Sequence, residues 1–273
     1  MIDAIEALTL QLGDLSRFLL GRLRPRRIVT LHHLACSGGT IMTKCLAAMN
    51  SALVLSEIHP DRPMGDKYHP LSQLMAGYGA ELTKAQARVI RGHFRREIQI
   101  AFCVARSRDR TLVVRDHAHV DFAWNKAQAS RLFDRLSPDF AITPIVTTRD
   151  PREVWISLKR EGWFEGTPDE LCQAQLNLLL AFPEAPVFQY EDFVKEPNQT
   201  IEALCKCAGI PFEADFMDRL PRVTHMTGDS GRSADIIAPR PPKELDPADA
   251  EAFRNSPAYA ALMSHLDARS PGQ

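Results

Sequence analysis

Apolar positions in this chain fall into short runs separated by helical stripes. Ile28-Val29-Thr30-Leu31 is apolar and β-branched, and with His32-His33-Leu34 behind it reads as a buried strand. A tight turn, Ala35-Cys36-Ser37-Gly38-Gly39-Thr40, follows, and then Ile41, Met42, Cys45, Leu46 and Met49 recur at helical spacing. Ala52 to Ile58, Thr111 to Arg115, Ile142 to Thr148 and Pro186 to Tyr190 predict four more strands. Helical patterns cover 71–78 and 83–91, with Thr83 as N-cap and Ile98 to Ala105 as a continuation. Others cover 122–136, the segment opened by Pro151, 168–182, Glu196 to Cys207 with Gly209 as its stop, and 247–266. Five apolar strands alternating with helices predict an α/β fold: a mainly parallel five-stranded sheet flanked by helices on both faces.

Outside that alternation, Ile5, Leu8, Leu12, Leu15 and Leu19 form one stripe over residues 2–20, a helix suited to dock on the domain or on a partner subunit. A homodimer is compatible with it. Asp61 to His69 reads as a loop over one sheet edge, and 221–247 is rich in Pro, Gly, Ser and Arg. No repeat or domain break interrupts the pattern. The expectation is one domain over 1–273, with an N-terminal helical extension (1–27), a core (28–232) and a C-terminal extension (233–273).

Composition narrows the class. With 45% hydrophobic and 25% charged residues among 273, the chain is an ordinary globular protein long enough to bury a sizeable core. A net charge of −1 gives no global field for nucleic acid or an anionic membrane, so any basic site is local. The six cysteines show no CxxC pairing, which predicts reduced and mostly buried thiols, with Cys205 and Cys207 in a helix core. No uninterrupted apolar run reaches about 18 residues, so no membrane span is expected. The start Met1-Ile2-Asp3 does not resemble a signal peptide. The default expectation is a cytoplasmic enzyme.

Candidate chemistry begins at the first turn. A strand, a glycine-bearing turn and a helix N-terminus make an anion site, because backbone N–H groups and the helix dipole converge there. Gly38 and Gly39 permit the bend and the close approach of an anion, and Ser37 and Thr40 add hydroxyls. The turn is not an ATP or GTP loop of the G-x-x-x-x-G-K-[ST] kind: the first glycine is missing, and Lys44 lies a full turn into the helix. The bland alternative is a turn that binds nothing. A second candidate is Thr147 to Ser157. Arg149 ends a strand at the edge where open α/β sheets bind ligands, and Ser157 could share an anion with its guanidinium. Its bland alternative is a surface pair between Arg149 and Glu153.

Taken together, these motifs resemble sulfotransferases that use 3′-phosphoadenosine 5′-phosphosulfate (PAPS). The resemblance rests on Ser37-Gly38-Gly39-Thr40, on Arg149 followed eight residues later by Ser157, and on Gln189 to Phe193 with Glu196-Pro197 and Thr200-Ile201. Thr227 to Arg232 is similar to the family's late glycine-rich loop. The set spans about residues 28–232 in family order. It implies a P-loop NTPase-like sulfotransferase fold, with Ser37, Gly38, Gly39 and Thr40 on the 5′-phosphosulfate and Arg149, Ser157 and Arg232 on the 3′-phosphate. It also implies adenosine 3′,5′-bisphosphate as product and a small-molecule, glycan or lipid acceptor with a hydroxyl or amine. Cys36 stands where many members carry a basic residue, which would pass that task to Lys44, Arg115 or the backbone. Gly39 replaces a commoner threonine.

For the base, the resemblance offers the strand-end His117, the strand-end Glu57 and His93, with His119 and His59 behind them. Asp116, His117, His119 and Asp121 lack an evident third ligand in the right place, so no metal site is expected. Two other classes stay open: an ATP-dependent P-loop small-molecule kinase, and a non-catalytic nucleotide-binding protein. Trp155, Trp163 and Phe164 read as core or as an acceptor wall.

Overall fold

The computed structural model describes residues 26–61, 83–224, 226–227, 237–239 and 241–269. Strands β1 (Arg27–His32), β2 (Ala52–Ile58), β3 (Thr111–Asp116), β4 (Ala141–Thr148) and β5 (Val187–Gln189) form one all-parallel sheet in the order β2-β3-β1-β4-β5. β1 is central, with Leu31 opposite Arg115 of β3 and His32 opposite Val146 of β4.

Alternation along the strands explains the two covered faces. Val29, Leu31, Val54, Val113 and Ile145 point to one layer, built on helices α1 (Gly39–Ala47), α6 (Tyr190–Lys195), α7 (Pro197–Ala208) and α8 (Phe216–Arg219). Their sequence neighbours point the other way. Ile28, Leu112 and Val114 meet α2 (Lys84–Ser107) and α3 (Arg131–Leu136). Val146 meets α4 (Pro151–Glu161), α5 (Pro168–Ala181), α9 (Pro247–Arg254) and α10 (Pro257–Arg269).

Four predicted elements change shape. The patterns at 83–91 and 98–105 are one helix of 24 residues, opened by a reciprocal capping box between Thr83 and Gln86. The helix predicted over 122–136 is two pieces, a single π-turn (Val120–Trp124) and α3. Asp121 breaks it: its carbonyl takes the Ala127 N–H and its carboxylate the Arg131 N–H, while Ser130 caps the next helix. The last predicted helix divides into α9 and α10 at Pro257, where Ser256 caps Tyr259 and Asp169 receives Ser256 and Ala258. β5 ends at Gln189, and Tyr190 already opens α6.

Cys205 is buried as expected, but Cys207 is exposed on the outer face of α7. Among the described residues no helix is long and apolar enough to cross a membrane. The helical stripes at 2–20 and 71–78 and most of the 61–69 loop lie outside the described residues, as does the 228–232 segment with Arg232.

Candidate functional site

Among the described residues, every candidate side chain except His93 follows from a carboxyl end of the sheet, where a parallel sheet directs its loops. After β1, Cys36 and Gly38 both take left-handed backbone, at φ 63° and 80°, and α1 starts at Gly39. Gly38, as N-cap, offers no side chain, so the helix start keeps its amides for an external acceptor. The Ser37 hydroxyl donates back to the Leu34 carbonyl at 2.7 Å, which tightens the turn.

The two glycines also answer a steric need. A Cβ on Gly38 would lie 2.1 Å from the Tyr190 ring, and one on Gly39 would lie 2.1 Å from the His33 ring. Two aromatic rings therefore press the turn into place from its glycine side.

Arg149 leaves the end of β4 and reaches that turn. Its Nη1 donates to the Cys36 carbonyl at 3.3 Å, and its guanidinium lies 4.6 Å from the centre of the Tyr190 ring. Gln175 of α5 donates to the Thr148 hydroxyl and to the Arg149 carbonyl, fixing the strand end. Asp150 caps α4 and its own N–H is received by Glu191. The Arg149–Glu153 pair also forms, Nη2 donating at 2.9 Å. Ser157 sits one turn farther, its hydroxyl donating to the Glu153 carbonyl and receiving Lys243 Nζ at 3.0 Å.

A third group gathers at the ends of β2 and β3. A register shift between Leu55 and Ile58 puts Glu57 in left-handed backbone, at φ 54°. This turns its carboxylate onto Arg115, whose Nη2 donates at 2.8 Å. Arg115 is only 2% exposed, and it also donates to His33 Nε2, to the Ser56 hydroxyl and to the Thr227 carbonyl. Since Arg115 Nε is a donor, His33 Nε2 must accept, and His33 Nδ1 donates to the Leu34 carbonyl. His33 is thus neutral, in line with a pKa pushed down to about 3 by burial and by Arg115. A continuous chain of contacts runs from Glu57 through Arg115 and His33 to Gly39.

His117 Nδ1 lies 4.0 Å from the same Glu57 carboxylate, and its buried Nε2 has no hydrogen-bond partner among the described residues. Burial lowers its pKa, and Glu57 partly opposes this. The exposed Trp124 stands edge-on to both His117 and His119. His93 is elsewhere in character: it is half exposed on α2 and pairs with Glu97 along the helix. His59 is held by Asp121, and Asp116 by His32 and Ser130, so the four residues considered for a metal do not converge. Among the described residues no group of three His, Cys, Asp or Glu is placed to hold a metal ion.

No protein-family model and no curated protein sequence matches the chain. Solved structures do. The sulfotransferase domain from the curacin biosynthetic pathway superimposes with a TM-score of 0.53 at 18% identity, covering 89% of this chain and 98% of that one. The sulfotransferase domain of the Synechococcus PCC 7002 olefin synthase gives 0.53 and 18%, covering 89% and 95%. This chain has the sulfotransferase fold.

Within that sulfotransferase fold, three participants have roles that the sequence reading did not assign. His33 reads as a strand residue, yet its ring backs Gly39 and its Nε2 holds Arg115. Tyr190 touches both Gly38 and Arg149. Lys243, from the C-terminal extension, meets Ser157 and Glu153 across 86 and 90 residues of sequence. The first two could have been found as ring-bearing residues at strand ends beside a glycine turn; Lys243 carries no sequence signal.

The buried histidines also set a pH dependence. His33 takes up its proton only near pH 3, and His119, buried and accepting from the Ala35 N–H, only near pH 4, against 6.5 in the unfolded chain. Between those values the unfolded state binds more protons, so stability falls as pH drops from 6.5 toward 4. The slope is about 1.4 kcal/mol per pH unit for each histidine that stays neutral. Urea unfolding at pH 7, 6, 5 and 4 measures it; a flat profile contradicts the assigned neutral rings.

Proposed function

We propose that the chain is a sulfotransferase that moves a sulfuryl group from PAPS to a hydroxyl or amine of an acceptor. The observation that carries this reading is the joining of two anion seats on one sheet rim. The uncapped amides of the Gly38-Gly39-Thr40 turn and the Arg149 guanidinium are linked by the 3.3 Å bond from Arg149 to Cys36. The residues fit a nucleotide with phosphates at both ribose ends: amides for the 5′-phosphosulfate, Arg149 and Ser157 for the 3′-phosphate. Arg232 is proposed with them on sequence grounds alone.

In the reaction, the acceptor oxygen or nitrogen forms a bond to sulfur as the bond from sulfur to the 5′-phosphate oxygen breaks. The electron pair leaves with adenosine 3′,5′-bisphosphate, and the acceptor proton goes to a base. Sulfuryl transfer resembles phosphoryl transfer in its loose transition state, with charge on peripheral oxygens. Positioned amides and a guanidinium can stabilise that charge without further chemistry from the protein. Arg115 is committed to Glu57, His33, Ser56 and Thr227, so the role of the basic residue missing at Cys36 is left to Lys44 or the turn amides.

His117 is the proposed base. Its unpartnered Nε2 can take a proton, while Nδ1 faces a carboxylate that would steady the resulting cation. Glu57 is tied to Arg115 and is a poorer candidate, acting instead as the carboxylate behind His117. His117→Asn is expected to lower kcat about 100-fold or more while leaving nucleotide affinity within a factor of two. In the native enzyme kcat should fall on the acid side only below pH 6.5, because the His117 pKa is lowered. Full activity in the variant would move the role of base to another group.

Thermal shift with adenosine 3′,5′-bisphosphate, ATP and GTP tests the reading, together with labelled PAPS supplied to a metabolite extract. The bisphosphate alone should raise the melting temperature. A response confined to magnesium with ATP would make the chain a kinase instead.

A further inference from the structure

The chain has three tryptophans, and all three gather around His117 and His119. Trp124 stands edge-on to both imidazoles, with 6.0 and 5.4 Å between ring centres. Its indole N–H donates to the Trp163 carbonyl at 3.2 Å, and Phe164 stands between His119 and Trp155, edge-on to both. Trp124 and Trp163 are 41% and 44% exposed, so this apolar wall opens to solvent. We propose that the wall seats the acceptor as an uncharged alcohol or phenol with a second oxygen beside the reacting hydroxyl, and that His119 donates a hydrogen bond to that second oxygen. The inference rests on the sulfotransferase reading above, with His117 as base.

The two imidazoles present opposite hydrogen-bonding edges. His117 Nδ1 faces the Glu57 carboxylate at 4.0 Å, which favours a proton there and leaves the buried Nε2 as an acceptor. His119 is the reverse. Its Nδ1 accepts the Ala35 N–H at 3.4 Å, so the neutral ring carries its proton on Nε2. His119 is 2% exposed, and its Nε2 faces the Trp163 backbone without completing a hydrogen bond among the described residues. A buried N–H without an acceptor is costly, and a bound oxygen relieves that cost. His119 is thus a donor and not a second base. Ala35 opens the glycine turn, so the ring that reads the acceptor is anchored on the loop proposed to hold the sulfuryl donor.

A molecule with one hydroxyl and a neighbouring ether, carbonyl or hydroxyl oxygen satisfies both edges at once. Its reacting hydroxyl gives its proton to His117 Nε2 as that oxygen bonds to sulfur and the bond from sulfur to the 5′-phosphate oxygen of PAPS breaks. The second oxygen only receives from His119 Nε2, so it fixes which hydroxyl is presented. The indoles suit an apolar body. Negative charge does not suit the place: the Glu57 carboxylate stands behind His117, Arg115 is bonded to it, and Lys126 is held by Glu170 at 2.6 Å.

With no tryptophan elsewhere, the indole N–H signals of the 15N-labelled full chain report this wall directly. Titration with 2-methoxyphenol, phenol and salicylate in the presence of adenosine 3′,5′-bisphosphate tests the inference. 2-Methoxyphenol should shift the Trp124 and Trp163 signals and bind about 3- to 10-fold tighter than phenol, the gain of one hydrogen bond, with salicylate weakest. His119→Phe keeps a ring without the donor and should make the two phenols equal. His119→Gln keeps an N–H and should retain most of the preference. With labelled PAPS, the loss in His119→Phe should fall on KM for 2-methoxyphenol and not on kcat. Ring 15N shifts of the native chain check the proton on His119 Nε2 without any substitution. A proton on Nδ1, equal binding of the two phenols by the native chain, or a preference that survives in His119→Phe overturns the role of His119. Salicylate binding as tightly as 2-methoxyphenol, or no shift with either phenol, overturns the acceptor class. If the bisphosphate still raises the melting temperature, the sulfotransferase reading survives these outcomes; if it does not, that reading itself fails.

Discussion

Arg149→Ala is expected to weaken adenosine 3′,5′-bisphosphate binding by about 100-fold or more, the loss of two charge-assisted hydrogen bonds. The effect should not be confined to the 3′-phosphate. Arg149 also holds the Cys36 carbonyl and stacks on Tyr190, so its removal loosens the glycine turn as well. The 5′-monophosphate should therefore lose affinity too. Arg149→Lys keeps the charge but not the planar fork, and should fall between the native protein and the alanine variant. Calorimetry on the three proteins decides it; unchanged affinity in Arg149→Ala removes this residue from the site.

Arg115→Met should give the largest loss of stability of any single change near the rim, about 3–5 kcal/mol. The methionine fills similar volume, so the cost is electrostatic. The Glu57 carboxylate loses its cation, and His33 Nε2, the Ser56 hydroxyl and the Thr227 carbonyl lose a donor. Replacing Glu57 by Gln in the same chain removes the stranded charge and should recover part of the loss. Urea unfolding of the single and double variants measures both values. A loss under 1 kcal/mol, or no recovery in the double variant, would mean that the pair does not carry this energy.

The sheet was legible because the strands are apolar runs, four of them closed by a polar residue, as in Thr111–Asp116, and because Thr83, Pro151 and Gly209 mark helix ends. Breaks made by side chains from outside the element were not legible. Asp121 stops its own turn by receiving Arg131, ten residues on, and the division before Pro257 is secured by Asp169 from α5. A window of helical periodicity contains neither contact.

The same limit governs the site. Ser37 to Thr40 and Arg149 with Ser157 could be read locally, since each sits at a strand end or one helical face. The Glu57 bulge could not, because it depends on the register with β3. Nor could Lys243, which acts across 86 residues from Ser157. The purpose of Gly38 and Gly39 was only partly visible: their missing Cβ atoms make room for Tyr190 and His33, besides the role proposed for them toward an anion.

Tyr190 gives that arrangement a metric. One rigid ring abuts Gly38 on one side and the Arg149 guanidinium on another, so neither anchorage can drift without the other. The distance between the two is then a fixed gauge set by the width of a phenol. On the proposed reading, molecules whose charged ends stand closer together or farther apart would engage one anchorage at a time, and selection by span would come before selection by base or sugar.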